Sequence, residues 1–292
     1  MVKNEVDVVA LWVHHHASLV GYHNVHVIDN NSTDGTYEVL HALSQTYGVR
    51  LSRECKWKNK GVYISTLMRR HVNESDLFIP MDIDEFLAVS HEHEQHISVS
   101  HVCSYIDALP LRAGIYKMHY VVPAIEVDGG YAQAPIEASR ARWQSGRPYG
   151  KTFLSTSAPA RIAASRARSS RMHWQQIPGS PWELPMLDEG FHMREYESMA
   201  LFVRLCLVHY HTRNVEQLKR KTIAGWIGKG HKFDLSDGYL TKLRAFEGRH
   251  YRKTILDMLH GKPVRVPVDL DPRTHNISLA PLQAHLRTLI EE

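Results

Sequence analysis

The sequence has few cysteines. Cys55, Cys103 and Cys206 are odd in number and lie far apart along the chain. This pattern excludes a disulfide framework and a zinc site built on closely spaced cysteine pairs. Because disulfide frameworks are typical of secreted proteins, their absence favours a reducing compartment.

The sequence also lacks a strong charge of one sign. Its 35 lysines and arginines and 31 aspartates and glutamates leave a formal net charge of +4. Nucleic-acid-binding domains are usually more basic, with their positive charge clustered. Residues 138–182 hold eight lysines and arginines and no acidic residue, which predicts a basic surface, and we expect no nucleic-acid partner.

The sequence also lacks a long apolar run. A membrane-spanning helix needs about 18 to 20 apolar residues. The longest mostly apolar stretch here covers only residues 199–208 and is interrupted by Arg204. No basic segment followed by an apolar run opens the chain. These features predict no transmembrane segment and a cytoplasmic protein.

Histidine is the residue type in excess. The chain holds 292 residues, of which 43% are hydrophobic, 23% are charged and 21 are histidines. This composition is typical of a globular protein with a substantial core. His14, His15 and His16 fall within a predicted helix, where adjacent side chains fan out and cannot face one ion. A second group alternates with glutamates and is interpreted as a solvated loop in preference to a zinc site: His91, His93, His96 and His101.

Helical and strand patterns alternate over the first 90 residues. Apolar periodicity predicts helices over 4–20, 37–47 and 61–72 and strands over 25–28, 49–51 and 77–81. Asn4 is a candidate N-cap of the first helix. Strands that alternate with helices favour an α/β fold with a mostly parallel sheet flanked by helices. Helical patterns return over 216–227 and 240–259 and predict a helical C-terminal segment.

Two polar clusters follow predicted strands. The first runs from Asp29 to Thr36, and the second holds Asp82, Asp84 and Glu85. Ligands of open α/β sheets bind beyond the carboxyl ends of the strands. We therefore expect both clusters to lie at a binding site.

The second cluster has the spacing of a cation site. Asp82 and Asp84 flank Ile83, and in an extended chain both carboxylates point to one side, where they can share a hard cation. Such a cation would neutralise a diphosphate. A solvated turn is the alternative interpretation of this pattern.

The first cluster suits a nucleotide. The carboxylate of Asp29 can accept a hydrogen bond from a base imide or a ribose hydroxyl. The side chains of Ser32, Thr33 and Thr36 can satisfy the start of the next helix. The alternative is a strand-to-helix turn with a good N-cap and no ligand.

These segments together resemble a known family. Lys3-Asn4-Glu5, the helix end with His15, the run Asp29 to Thr36 and the run Met81 to Leu87 follow the order and spacing of family 2-like glycosyltransferases. The branch has a KNE…DNxSTDGT…DxDEF…HY pattern and is related to the family 92 group. The resemblance is close over residues 1–90 and looser at 150–151, 173–174, 209–216 and Lys221.

The resemblance implies a Rossmann-like GT-A fold. It assigns residues 1–212 to a catalytic domain, with a nucleotide-binding half (1–90) and an acceptor-side half (91–212). Residues 213–292 then form a helical extension packed on that domain. The implied activity is a hexosyltransferase-type transfer from a nucleoside diphosphate sugar to a glycan, lipid or protein acceptor, with Mn²⁺ or Mg²⁺.

The resemblance also implies roles for single residues. Asp29 would contact the nucleobase, Asp82 the ribose and the metal, and Asp84 the metal. His209 would complete the metal site, with His211 as its rival. The remaining candidates are Asn30 and Glu5 beside the nucleotide, Lys151 at a phosphate or the acceptor, and a catalytic base from Asp188, Glu189, Glu126 or Asp128.

Two other functions are weighed against the transferase. Only Met1 and Val2 precede Lys3, where family members have a full first strand. A non-catalytic nucleotide- or sugar-binding protein with an incomplete first strand is therefore the alternative. A phosphotransferase or hydrolase is disfavoured, because Phe86 stands where haloacid dehalogenase-like enzymes have serine or threonine.

Overall fold

The computed structural model describes residues 1–55, 60–91, 96–124, 140–143, 150–156, 200–210, 215–228, 255–257, 260–262 and 277–291. Its helices are α1 (Val9–Val20), α2 (Thr36–Tyr47), α3 (Lys60–Arg70), α4 (Val102–Asp107), α5 (Val215–Gly228) and α6 (Ala280–Glu291). Its strands are β1 (His26–Asp29), β2 (Arg50–Arg53), β3 (Leu77–Phe78), β4 (Glu85–His91), β5 (His96–Ser98), β6 (Ile115–Ala124), β7 (Arg140–Trp143), β8 (Gly150–Ser155), β9 (Leu201–His209) and β10 (Ile277–Ser278).

The elements up to α3 follow the predicted order. Strands β1 and β2 pair in parallel, with α2 as their connection. Gly48 ends α2 in the left-handed conformation at φ +79°, which glycine adopts without strain. Val2 adds one further parallel bridge to Asp29. Local periodicity is thus sufficient to identify this part of the fold.

The first helix begins later than predicted. It starts at Val9, and Asn4 has a φ of +56°. The Asn4 side chain accepts a hydrogen bond from the backbone N–H of Thr33 at 2.9 Å. The expectation that Asn4 caps α1 is wrong, because its side chain is used to hold the chain corner against the loop after β1.

The larger sheet has mixed strand directions. Strand β6 pairs antiparallel with β7 and β8 and parallel with β9. Strand β4 pairs antiparallel with β5 and β9. Strand β3 pairs antiparallel with β8, and β10 pairs parallel with β5 and antiparallel with β7. The predicted α/β class is confirmed, with mixed strand directions in this sheet in place of the mostly parallel pairing that was expected.

The short connection between β4 and β5 explains why these two strands pair antiparallel. His91 and His96 are partners in the β4–β5 pair, so only four residues separate the two strands. A link that short allows an antiparallel hairpin, whereas a parallel pair needs a crossover of about a dozen residues. Among the described strands, parallel pairing is therefore confined to β1–β2, β5–β10 and β6–β9.

The core lies between α1 and the larger sheet. Val9, Trp12 and Val13 of α1 pack in one buried cluster with Phe86 of β4 and Leu286 of α6. The C-terminal helix therefore covers the same core as the N-terminal one. No helix in the described parts of the chain is both long and apolar enough to cross a membrane.

Candidate functional site

The loop after β1 is held by a buried carboxylate. Asp29 is fully buried, and its oxygens accept the backbone N–H of Ser32 at 3.2 and 3.3 Å. Arg53 of β2 lies beside it, with Nε 3.2 Å from Oδ2, and stacks over the Tyr37 ring at 4.1 Å. Asp29 thus fixes the shape of the loop that the sequence assigned to a nucleotide.

The chain corner at residues 4–6 is tied to the same loop. The backbone N–H of Asn4 donates to Ser32 Oγ at 3.0 Å, and that of Glu5 donates to Thr36 Oγ1 at 2.9 Å. Burial raises the pKa of the Asp34 carboxyl, but hydrogen bonds donated by the Thr36 hydroxyl at 2.5 Å, the Thr36 N–H at 3.1 Å and the Val6 N–H at 3.2 Å hold that pKa below its ordinary value. Ser32 and Thr36, whose side chains were predicted to satisfy the start of α2, therefore hold the chain corner instead.

Asn30 has unused hydrogen-bonding capacity. Its side chain is buried, and within the described residues its Oδ1 atom has no hydrogen-bond partner. Buried amide oxygens are normally paired, because an unmade bond costs about 1–3 kcal/mol. An orphaned oxygen at the carboxyl end of β1 is the kind of group that a ligand completes.

The second cluster forms a closed turn, here named the acidic turn (Asp82 to Glu85). The backbone N–H of Glu85 donates to the Asp82 carbonyl oxygen at 3.1 Å, and the Asp82 N–H donates to Glu85 Oε2 at 2.7 Å. The chain is therefore not extended here. The expectation of an extended chain at Asp82 and Asp84 is wrong, because the Glu85 carboxylate folds the turn back on itself.

Two lysines hold Asp82. Lys60 of α3 bonds to its Oδ1, and Lys151 Nζ lies 3.1 Å from its Oδ2. Burial would raise the pKa of the Asp82 carboxyl, but the charges of Lys151 and Lys60 outweigh it and hold that pKa well below the usual range. Asp82 is therefore ionised at neutral pH.

Lys151 is an internal counter-ion. Its side chain is fully buried and donates to Glu85 Oε2 at 2.5 Å as well as to Asp82. Burial opposes its charge, yet these two carboxylates raise the pKa of its ammonium. Tyr120 donates to the other Glu85 oxygen at 3.0 Å. A phosphate or acceptor role for Lys151 stays a prediction.

Lys221 of α5 joins the two clusters. Its Nζ lies 2.6 Å from Asp84 Oδ2 and 3.3 Å from Glu5 Oε1. His209 Nε2 lies 3.6 Å from Asp84 Oδ1, and although burial opposes it, the charge of Asp84 raises the pKa of that imidazole. The chain corner and the acidic turn therefore form one site.

The donor atoms suit a divalent cation but are not arranged for one. Carboxylate oxygens and an imidazole nitrogen are ligands that Mn²⁺ accepts, and Asp84 and His209 lie side by side. The oxygens of Asp82, however, are bonded to Lys60 and Lys151. No group of three His, Cys, Asp or Glu side chains in the described ranges is placed to hold a metal.

Several predicted residues lie outside the described residues. This applies to His211, the rival of His209, and to all four candidate bases, Asp188, Glu189, Glu126 and Asp128. The predicted domain boundary at residue 212 also falls there. Within the described part, the structure brings together Glu5, Asp82, Asp84, Lys151 and His209, and it places Asp29 and Asn30 beside the adjoining corner.

No individual role was predicted for Lys60, Lys221, Glu85 or Tyr120, although Glu85 belongs to the second polar cluster. Glu85 directly follows the acidic pair, and that adjacency is a usable signal. Tyr120 lies in β6, a strand that was not predicted from the sequence. Lys221 belongs to the loosely matching part of the family resemblance, but nothing local indicates its partner, since it stands 137 residues from Asp84. No local pattern distinguishes Lys60 from a surface lysine.

Removal of the Tyr120 hydroxyl tests the buried network. Tyr120→Phe leaves one oxygen of the buried Glu85 carboxylate without its donor. We expect the free energy of unfolding, measured in urea, to fall by about 1–2 kcal/mol. Tyr47→Phe, at an exposed position, is the matched control. A Tyr120→Phe protein as stable as this control would show that the hydroxyl does not support Glu85.

Comparison of the chain with protein-family models, with curated proteins and with solved structures finds no match.

Proposed function

We propose that the protein is a glycosyltransferase with a GT-A-like donor site, which moves a sugar from a nucleoside diphosphate sugar to a glycan, lipid or protein acceptor. One observation carries the proposal: Lys221 links Glu5, at the corner tied to the β1 loop, with Asp84 of the acidic turn. A nucleotide site and a diphosphate site have to adjoin in such an enzyme, and these two clusters do.

The β1 loop supplies the nucleotide end of the proposed site. Asn30 offers an unpaired amide oxygen to a base or ribose donor group. Asp29 holds the loop through Ser32 and Arg53, and in the proposal it also meets the nucleotide. The resemblance of the Asp29 to Thr36 run to family 2-like glycosyltransferases supports the same assignment.

The acidic turn supplies the diphosphate end. The proposal includes Mn²⁺ or Mg²⁺ at Asp82, Asp84 and His209, where a bound cation would offset the charge of the departing diphosphate. For these ligands to meet, Lys60 and Lys221 have to leave the carboxylates that they now bond. Both lysine side chains are partly exposed, so they have room to turn toward a phosphate.

The proposed reaction is a substitution at the anomeric carbon. The bond from that carbon to the diphosphate oxygen breaks, and a bond to the acceptor hydroxyl oxygen forms. The hydroxyl proton goes to a carboxylate base in an inverting reaction, for which Asp188 and Glu189 are the candidates. Positive groups beside the diphosphate stabilise the charge that it gains.

A binding protein without catalytic activity is the second candidate. It is favoured by the same pairing of the acidic turn with lysines, because carboxylates held in ion pairs can serve structure alone. Release of free nucleoside diphosphate from a bound donor separates the two functions. The transferase produces it in the presence of acceptor or water, and the binding protein does not.

A thermal-shift panel tests donor binding. Nucleoside diphosphates and their sugar conjugates are added with and without Mn²⁺, with the matching monophosphates and free sugars as controls. A ligand at 100 times its Kd stabilises the folded state by about 2.7 kcal/mol, and we expect a rise in Tm of about 4 °C for one nucleotide class. A panel in which no diphosphate or sugar conjugate raises Tm more than its controls contradicts the proposal.

A further inference from the structure

Three side chains of α1 bond to one edge of β4. Trp12 Nε1 donates to the Glu85 carbonyl oxygen at 2.8 Å. His15 Nε2 lies 2.9 Å from the Leu87 carbonyl oxygen, and the Leu87 N–H donates to His16 Nε2 at 3.3 Å. We name Trp12, His15 and His16 the α1 clamp.

The α1 clamp occupies the position beside β4 at which a neighbouring strand would pair. Strand β5 pairs with β4 only from Val89 to His91, so it does not reach the edge at Glu85 and Leu87. Buried backbone groups at such an edge need partners. The clamp supplies them at the residues that directly follow Asp84, and it therefore positions the end of the acidic turn.

The hydrogen bonds fix the protonation state of both histidines. His16 Nδ1 lies 2.8 Å from the Trp12 carbonyl oxygen, which only accepts, so Nδ1 carries the proton and Nε2 is free to accept from Leu87. His15 Nε2 carries the proton that it donates to the Leu87 carbonyl oxygen. Its Nδ1 is buried without a hydrogen-bond partner in the described structure. Both imidazoles are therefore neutral.

The surroundings of the clamp oppose a positive charge. His15 and His16 are buried, and the titratable groups that face them are each other and His285 of α6, whose ring lies 5.3 Å from that of His15. Strand β4 contributes the Leu87 backbone and the Phe86 ring. Burial lowers the pKa of His16 to about 4, and burial together with His16 lowers the pKa of His15 well below its ordinary value.

We propose that the α1 clamp is a pH-sensitive latch, in which protonation of His15 and His16 releases the β4 edge at Leu87 and loosens the acidic turn. A protonated His16 carries hydrogen on both nitrogens and cannot accept the Leu87 N–H. A protonated His15 places a charge among apolar groups and other histidines. The latch does not depend on which reaction the site performs.

The direction of the effect follows from linkage. The released histidines titrate near 6.5 and His16 in the closed state near 4, so the open state binds more protons between these values. Closure is therefore favoured above pH 6.5 and weakens as the pH falls toward 4. From pH 7.5 to pH 5, His16 alone raises the opening equilibrium about 25-fold.

Amide hydrogen exchange at Leu87 tests the latch. Protection factors, corrected for the intrinsic pH dependence of exchange, are measured by NMR between pH 7.5 and pH 5. We expect the protection of Leu87 to fall about 25-fold or more, while that of Val27 in β1 changes by less than about 3-fold. Val27 reports opening that is not local to the clamp.

The matched variant is His15→Gln/His16→Gln. Glutamine keeps a donor for the Leu87 carbonyl oxygen and an acceptor for its N–H but does not titrate, so the protection of Leu87 should no longer depend on pH. His41→Gln, at an exposed position of α2, should behave like the wild type.

Three results of the exchange experiment overturn the latch, and one result of a histidine titration does so as well. The three exchange results are constant protection of Leu87 in the wild type, equal losses at Leu87 and Val27, and a double variant that keeps the wild-type pH dependence. If the double variant does not fold, the wild-type protection factors and the NMR titration of His15 and His16 test the latch in its place. Imidazoles that titrate near 6.5 while Leu87 stays protected also overturn it.

Discussion

Replacement of Lys151 by methionine is expected to lower the free energy of unfolding by about 3–5 kcal/mol. Methionine keeps most of the apolar stem and removes the ammonium that bonds Asp82 and Glu85. The Glu85 side chain is fully buried, so its charge would remain in the interior without its counter-ion. Loss of one partner of a buried pair is costly for this reason.

Urea unfolding at pH 7.5 measures this effect, with Lys262→Met at an exposed position as the control. A second substitution separates charge from packing. In Lys151→Met/Glu85→Gln, one uncompensated carboxylate is gone, and we expect part of the lost stability to return. A Lys151→Met protein within about 1 kcal/mol of the wild type would contradict the role of Lys151 as an internal counter-ion.

Replacement of Asp84 by asparagine is expected to slow the proposed sugar transfer by about 100-fold or more, because it removes a proposed ligand of the cation that would offset the charge of the diphosphate. The substituted amide keeps the shape of the side chain, and Lys221 keeps Glu5 as a partner. Folding should therefore persist. Asp107→Asn, at the exposed end of α4, is the matched control.

Two outcomes of that experiment are informative. Loss of transfer with an unchanged urea midpoint supports a functional role for the Asp84 carboxylate. If Asp84→Asn transferred sugar at the same rate as Asp107→Asn, the acidic turn would have no role in the reaction, whatever the effect of the substitution on stability.

The N-terminal helices and strands could be predicted from the sequence alone. The helices α2 and α3 and the strands β1 and β2 lie close to the predicted positions, because apolar periodicity and Gly48 act over a few residues. The pairing of β6 with β9 and of β10 with β5 joins segments far apart in the chain. No local pattern specifies such pairings, so the mixed directions of the larger sheet could not be anticipated.

The residues of the candidate site likewise fall into those that could be predicted from the sequence and those that could not. Asp29, Asp82 and Asp84 could be predicted because they follow strands and carry short-range patterns. The counter-ions could not, because Lys60 and Lys221 become partners of the acidic turn only when α3 and α5 pack beside it. The three consecutive histidines were expected to have no shared ligand, and the structure instead uses two of them to hold β4.

The most direct test is a calorimetric titration of the nucleoside diphosphate sugar that gives the largest thermal shift, with Mn²⁺ present, into the wild type, Asp84→Asn and Asp107→Asn. We expect saturable one-to-one binding to the wild type and Asp107→Asn, and affinity at least about 100-fold weaker for Asp84→Asn. Equal affinity for all three proteins, or no binding of any nucleoside diphosphate sugar to the wild type, would contradict the proposed function.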